Sequence, residues 1–167
     1  MQISLPKGVT GKKFSHELSH CMKAVDFIIE TPNCLLLIEV KDPEHPEARE
    51  KNRDEFIEGF EAGKLDDELK YKYRDSFLYL WAEGRLKPKK PVLYAVLIAI
   101  SKLESWALIR RTDALKRQLP VRENSPSSWK HYIAEGCGVL NIEAWNKHKR
   151  LSKYPVSRVN YKVRKQS

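Results

Sequence analysis

The sequence predicts an α/β domain with a mixed sheet, and three observations carry that prediction. Two apolar runs, KAVDFIIE and CLLLIEVKD, are joined by the turn signal Thr31-Pro32-Asn33, which makes them an antiparallel hairpin. A third run, VLYAVLIAI, is apolar at nearly every position, as a strand buried on both faces is. Between and after these runs, apolar residues recur at helical spacing. The order is helix, hairpin, helix, strand, helix, strand. That order gives a mixed β-sheet flanked by helices rather than a purely parallel one.

Each element follows from its own residues. Val9, Phe14, Leu18 and Met22, four or five apart, predict a short first helix over 9 to 23 with Thr10 as its cap. The hairpin strands are expected at 24 to 30 and 34 to 41, and Asp42-Pro43 and His45-Pro46 end the second. A helix from 47 to 62 is broken at Gly63. Leu69, Tyr73, Phe77, Leu80 and Trp81 then predict an amphipathic helix over 65 to 84, stopping at Gly84 and packing across a sheet. The basic turn Lys87-Pro88-Lys89-Lys90-Pro91 leads into the third strand, 92 to 100, expected at the sheet centre. In the next helix, 103 to 118, Leu103, Ala107, Leu108 and Ile109 are expected to face the sheet, with Leu115 and Leu119 continuing the stripe. Val139 to Ile142 is the expected edge strand.

With 167 residues the chain suits one domain with an ordinary core. No apolar run approaches the roughly 20 residues that span a bilayer, and the opening MQISLPKGVTGKK has no apolar signal region, so a cytoplasmic protein with no membrane partner is expected. Cys21, Cys34 and Cys137 form an odd set without CxxC spacing, which fits reduced thiols better than disulfides or a zinc knuckle. The net charge of +9 is unevenly placed. Residues 144 to 167 carry eight Lys/Arg and no acid, whereas residues 42 to 68 hold eleven Asp/Glu against four Lys/Arg. The tail interleaves Trp145, Tyr154 and Tyr161 with its cations, a composition suited to phosphate contact and base stacking. The acidic stretch reads first as a solvated helical face and second as a docking surface for a basic partner.

Asp26, Glu39 and Lys41 are the residues that this frame leaves unexplained. The simplest hairpin register pairs Glu30 with Leu35, which puts Asp26 opposite Glu39, and side-chain alternation places Lys41 on their face. Opposed carboxylates destabilise a strand pair by a few tenths to about 1 kcal/mol unless a positive group lies between them. A divalent cation fills that role: Mg²⁺ takes oxygen ligands from one or two carboxylates and keeps several waters, and a neighbouring lysine can act on an attacking water. Strands that end in exposed charges are the plainer explanation. Against it, these three residues lie on one face of strands otherwise free of polar side chains.

A second motif competes. His16-Glu17-Leu18-Ser19-His20 matches HExxH, in which two histidines on one helical face hold zinc and the glutamate serves as base of a metalloprotease. Lys23 stands where the longer version of that motif needs glycine, and no clear third ligand follows. His45, His131 and His148 are isolated and read as surface residues. No GxSxG elbow, P-loop or Rossmann glycine pattern occurs, which leaves acyl transfer and nucleotide hydrolysis by those routes without support.

VDFII followed by LLLIEVKD, with a short helix before and a helix and apolar strand after, resembles the PD-(D/E)XK nuclease superfamily over roughly residues 14 to 101. The resemblance implies a restriction-endonuclease-like fold in residues 1 to 143, with the basic segment 144 to 167 packed on the same domain, and a Mg²⁺-dependent phosphodiesterase in which Mn²⁺ substitutes. Asp26 and Glu39 would ligate the metal with the Val40 carbonyl, Lys41 would act on the attacking water, and Glu17 would be the first-helix glutamate that many members carry. Val25 stands in place of the proline of the family's Pro-Asp pair. The substrate expected is DNA, attracted by Lys12, Lys13, Lys23, Lys72 and Arg74 and by Lys147, Arg150 and Lys153 of the tail. Because no reading module is recognisable, targeting is expected from homodimerisation or a larger partner, as in a restriction or anti-phage assembly. The alternative from another class is a non-cutting nucleic-acid-binding or assembly subunit with the same fold.

Overall fold

The computed structural model describes residues 1–14, 22–86, 90–101 and 103–159. Its elements in chain order are β1 (Gln2–Ile3), β2 (Thr10–Lys13), β3 (Phe27–Glu30), β4 (Leu35–Lys41), α1 (Glu50–Glu61), α2 (Asp66–Ala82), β5 (Val92–Ile98), α3 (Ser105–Gln118), β6 (Gly136–Leu140), α4 (Ile142–Lys147) and β7 (Val156–Ser157). The hairpin forms in the expected register, Glu30 against Leu35 and Phe27 against Ile38. Thr31 shapes its turn by accepting the Cys34 N–H and donating to the Cys34 carbonyl. β5 and β6 then add in parallel, giving a five-stranded mixed sheet in the order β2-β3-β4-β5-β6. The fold is therefore α/β, with helices flanking the sheet.

Side-chain alternation divides the core in two. On one face Ile28, Leu35, Leu37, Tyr94, Val96 and Ile98 meet Phe60 of α1, Leu69, Tyr73 and Leu80 of α2, and Leu108 and Leu115 of α3. On the other, Ile29, Leu36, Ile38, Ala95 and Leu97 are covered by Trp145, Leu151, Tyr154 and Val156 from the end of the chain. Two glycines in the left-handed region end α1 and α2: Gly63 at φ 80° and Gly84 at φ 67°.

Several expectations fail, each for a physical reason. Residues 10–13 are not helical but pair with β3 as an edge strand, Thr10 against Glu30 and Lys13 against Phe27. The remainder of the expected first helix, from Ser15 to Cys21, lies outside the described residues. The first hairpin strand begins at Phe27 rather than residue 24, because Asp26 spends its side chain on the neighbouring backbone. β4, not β5, is the middle strand, and β5 ends at Ile98. Ile109 is 62% exposed, since Leu108 already occupies the inward position of that turn. The last strand starts earlier, at Gly136, and Ile142 belongs to α4, which Asn141 caps by accepting the Ala144 N–H. Trp145 and Tyr154 are buried in the second core and are not available for base stacking; Tyr161 lies outside the described residues.

That burial is built on polar anchors as well as apolar contact. The Trp145 indole donates to the Tyr154 carbonyl at 2.8 Å, and the Asn146 amide exchanges two bonds with the Val156 backbone. Arg158 then reaches back to Asp42 at 2.8 Å and Glu44 at 3.0 Å, and to the Ala99 carbonyl, tying residues 144–159 to the sheet end where β4 and β5 finish. No helix among the described residues is long and apolar enough to cross a membrane.

Candidate metal and phosphate site

Glu39 shares its face of β4 with Leu35 and Leu37, beneath α2, and only 1% of it is exposed. A carboxylate there needs counter-charge. Two ammonium groups supply it through the same oxygen: Lys41 Nζ lies 3.0 Å and Lys72 Nζ 2.8 Å from Glu39 Oε1. The other oxygen, Oε2, is buried without a hydrogen-bond partner among the described residues. Burial pushes the Glu39 carboxyl upward, the lysines pull it down, Asp26 adds repulsion, and the balance stands above the usual carboxylate value.

Asp26 precedes β3 by one residue, opposite Glu39 in the continued register. Its Oδ2 accepts the Val40 N–H at 2.8 Å, so the side chain makes the bond that a longer β3 would have made. The N–H and C=O of one strand residue project to the same edge, which turns the Val40 carbonyl toward Asp26 as well. Lys41 is divided between Glu39 and Glu68, whose Oε1 is 2.7 Å away. Burial lowers the Lys41 pKa, yet hydrogen bonding to Glu68 and the field of Glu39 outweigh it and hold the ammonium above its usual range. Glu68 responds in the opposite sense: burial pushes it up and Lys41 brings it below its ordinary value.

α2 positions both walls. Glu68, Lys72 and Ser76 are spaced four apart, one above the next on a single helical side. Ser76 Oγ accepts the Val25 N–H at 3.0 Å and Asp75 accepts the Lys23 N–H at 2.8 Å, so the segment entering Asp26 hangs from the helix that braces Lys41 and Glu39. Tyr94 of β5 fixes that helix by donating to the Leu69 carbonyl at 3.1 Å.

The structure thus brings together Asp26, Glu39, Lys41 and Lys72. Lys72 enters as an ion-pair partner of Glu39, not as the surface cation its charge had indicated. Lys12 and Lys13 are exposed on β2, where Lys13 pairs with Phe27, the residue after Asp26. Lys23 is exposed beside α2. Arg74 is exposed and turned to the Tyr71 ring, 5.8 Å from its centre. Lys147, Arg150 and Lys153 are exposed on the segment that covers the opposite face, and Lys147 is paired with Glu143. The sheet separates them from the carboxylates. Glu17, His16 and His20 lie outside the described residues. Glu68 and Ser76 escaped the sequence reading; their signal was the polar stripe 68, 72, 76 running beside the apolar one in a helix already identified.

Comparison with protein-family models finds none that matches the chain, and no curated protein or solved structure matches it significantly. The site has to be read from its own geometry. Among the described residues no group of three or more His, Cys, Asp or Glu side chains is placed to hold a metal ion. The donors present are two carboxylates and a main-chain carbonyl, a set that suits Mg²⁺, which binds through one or two carboxylates and keeps its remaining ligands as water. The unpartnered Glu39 Oε2 is the observation that favours such a group. By contrast, a concavity of about 790 Å³ along β6 includes none of Asp26, Glu39 and Lys41. Its chemistry is quiet: Lys116 and Arg122 are paired with Glu123 and Glu135, and burial pushes the Cys137 thiol up to about 12.

Proposed function

We propose that the chain is a metal-dependent nuclease of PD-(D/E)XK type, hydrolysing phosphodiester bonds of DNA. The observation that carries this reading is the buried Glu39, one oxygen held by lysines and the other unpartnered among the described residues, facing the position of Asp26 across the hairpin. Asp26, Glu39 and the Val40 carbonyl would hold Mg²⁺ or Mn²⁺. Bound there, the ion would polarise a phosphate oxygen and lower the pKa of a water. Lys41 is an ammonium at neutral pH, so its part is to donate: it orients the nucleophile and stabilises negative charge at the phosphate rather than removing a proton. Glu68 fixes the lysine in that role. Lys12 and Lys13, exposed on the strand beside β3, and Lys23 are the cations best placed to attract a nucleic-acid backbone. Targeting by homodimerisation or by a larger partner, as in a restriction or anti-phage assembly, belongs to the same proposal.

One feature favours the second reading, a non-cutting nucleic-acid-binding or assembly subunit: Lys41 and Lys72 already neutralise much of the carboxylate charge. Purified protein incubated with plasmid, linear and single-stranded DNA in Mg²⁺, Mn²⁺ or EDTA separates the two. Cleavage that needs the ion and disappears in Asp26→Ala and Lys41→Ala supports the nuclease. Binding without cleavage supports the subunit, and equal cutting by wild type and both variants overturns the site.

A further inference from the structure

Lys72 is the residue whose placement the proposed chemistry does not use. Lys41 has two carboxylates, and Glu68 would retain it at 2.7 Å whatever happened to Glu39. Lys72 has one: among the described residues its only ion pair is with Glu39. It is 15% exposed, and its flexible four-carbon stem rises from α2 at the border between core and solvent. The contact supplies what a buried carboxylate requires, a positive group against an oxygen that water does not reach.

A divalent ion shared by Asp26 and Glu39 would supply the same thing with twice the charge. It would also stand beside the Lys72 ammonium, and like charges at such separations repel by about 1 kcal/mol per charge product in water and several times more near a protein surface. One cation has to leave. Lys41 has a hydrogen-bonded second carboxylate in Glu68, and Lys72, though it lies in the field of Glu68, has no second ion pair among the described residues. We infer that Lys72 is a placeholder cation, neutralising Glu39 in the metal-free protein and giving the carboxylate up when a divalent ion binds. This rests on Asp26 and Glu39 being metal ligands. It assigns Lys72 an exchange role that the stability of the fold alone does not require.

The test follows the amine itself in the wild-type chain. Lysine acetylation by a water-soluble active ester, read by peptide mass spectrometry, reports the Lys72 ammonium with and without saturating Mn²⁺, while calorimetry records Mn²⁺ binding. Lys72 is expected to be protected without metal and to label several-fold faster with it, with Lys41 unchanged and no rise in Asp26→Asn. In Lys72→Met, Mn²⁺ should bind roughly tenfold tighter, because one competing charge has gone. Binding by Lys72→Met but not by wild type would support the exchange more strongly still. Mn²⁺ that binds wild type and is lost in Asp26→Asn, while Lys72 labelling stays flat and Lys72→Met binds no better, overturns the placeholder and leaves the metal site standing. No binding by any of the three proteins overturns the metal site and the placeholder together. The labelling needs no substitution at Lys72, so poor folding of Lys72→Met would not decide the matter.

Discussion

Arg158 and Lys72 each bring a cation to carboxylates at the same end of the sheet, from opposite faces. Arg158 meets Asp42 and Glu44 with a two-pronged guanidinium, and Glu44 also accepts the Ser101 N–H at 3.0 Å and its hydroxyl at 2.7 Å. Around Glu39, two ammoniums crowd one oxygen and the other has no partner among the described residues. The ionisation of the two glutamates records the difference. Burial pushes Glu44 up, but Ser101 and Arg158 outweigh it and hold the carboxyl below its usual 4.5; burial pushes Glu39 up, and its lysines do not outweigh it. Of these two networks, the one around Arg158 pairs both of its carboxylates, and the one around Glu39 leaves a buried carboxylate oxygen open, where a cation has something to gain.

The largest expected effect separates the two networks by activity. On the proposed nuclease reading, Asp26→Asn should lower ion-dependent DNA cleavage by roughly a thousandfold while leaving the unfolding temperature within a few degrees of wild type. Arg158→Met should do the reverse: a loss of about 2 kcal/mol in urea denaturation, less than a fully buried pair because the guanidinium is 30% exposed, with cleavage per folded molecule retained. If Arg158→Met abolishes cleavage without destabilising the chain, the clamp belongs to the site and the contrast collapses.

The smallest effect is the sharpest probe of sign. Glu44, with a lowered folded pKa, contributes stability that is present above 4.5 and is lost as pH falls through the depressed value. Glu39, with a raised folded pKa, contributes most below 4.5 and loses that contribution as pH rises through the elevated value. At pH 7, Glu44→Gln should therefore cost more stability than Glu39→Gln, despite the deeper burial of Glu39. The gap should close toward acid in paired denaturation curves at neutral pH and just below 4.5. A wider gap in acid would mean that the pairing around Glu39 is the stronger of the two.

What was legible in the sequence was whatever local patterning fixes. The turn Thr31-Pro32-Asn33 determines the hairpin register, and with it the opposition of Asp26 and Glu39. Long stripes such as Leu69, Tyr73 and Leu80 announce α2, and Gly63 and Gly84 mark ends that need a positive φ. β2 was not legible, because Gly11, Lys12 and Lys13 have no apolar alternation and all four of its residues are exposed; only the free edge of β3 makes them a strand. The tail misled for the opposite reason. Aromatic residues among cations suit a nucleic-acid surface and an amphipathic cover equally in composition, and the second face of the sheet claims Trp145 and Tyr154. Lys72 counts as a cation in any tally, but its partner, Glu39, lies far away in the sequence on another element.

α2 also sets a rule for what this gene can tolerate. Glu68, Lys72 and Ser76 keep their targets because each is close to one helical turn from the next, about 40° past a full turn at each step. One residue inserted between Lys72 and Ser76 would rotate everything beyond it by about 100°, carrying Ser76 away from Val25 while Lys72 stayed on Glu39. Four inserted residues would turn it by about 400°, close to a full circle, and nearly restore the bearing one turn further along. Insertions in this stretch should therefore be read modulo the helical repeat: length variants of four preserve the angular phase of the site, and single-residue variants break it even though no site residue is replaced.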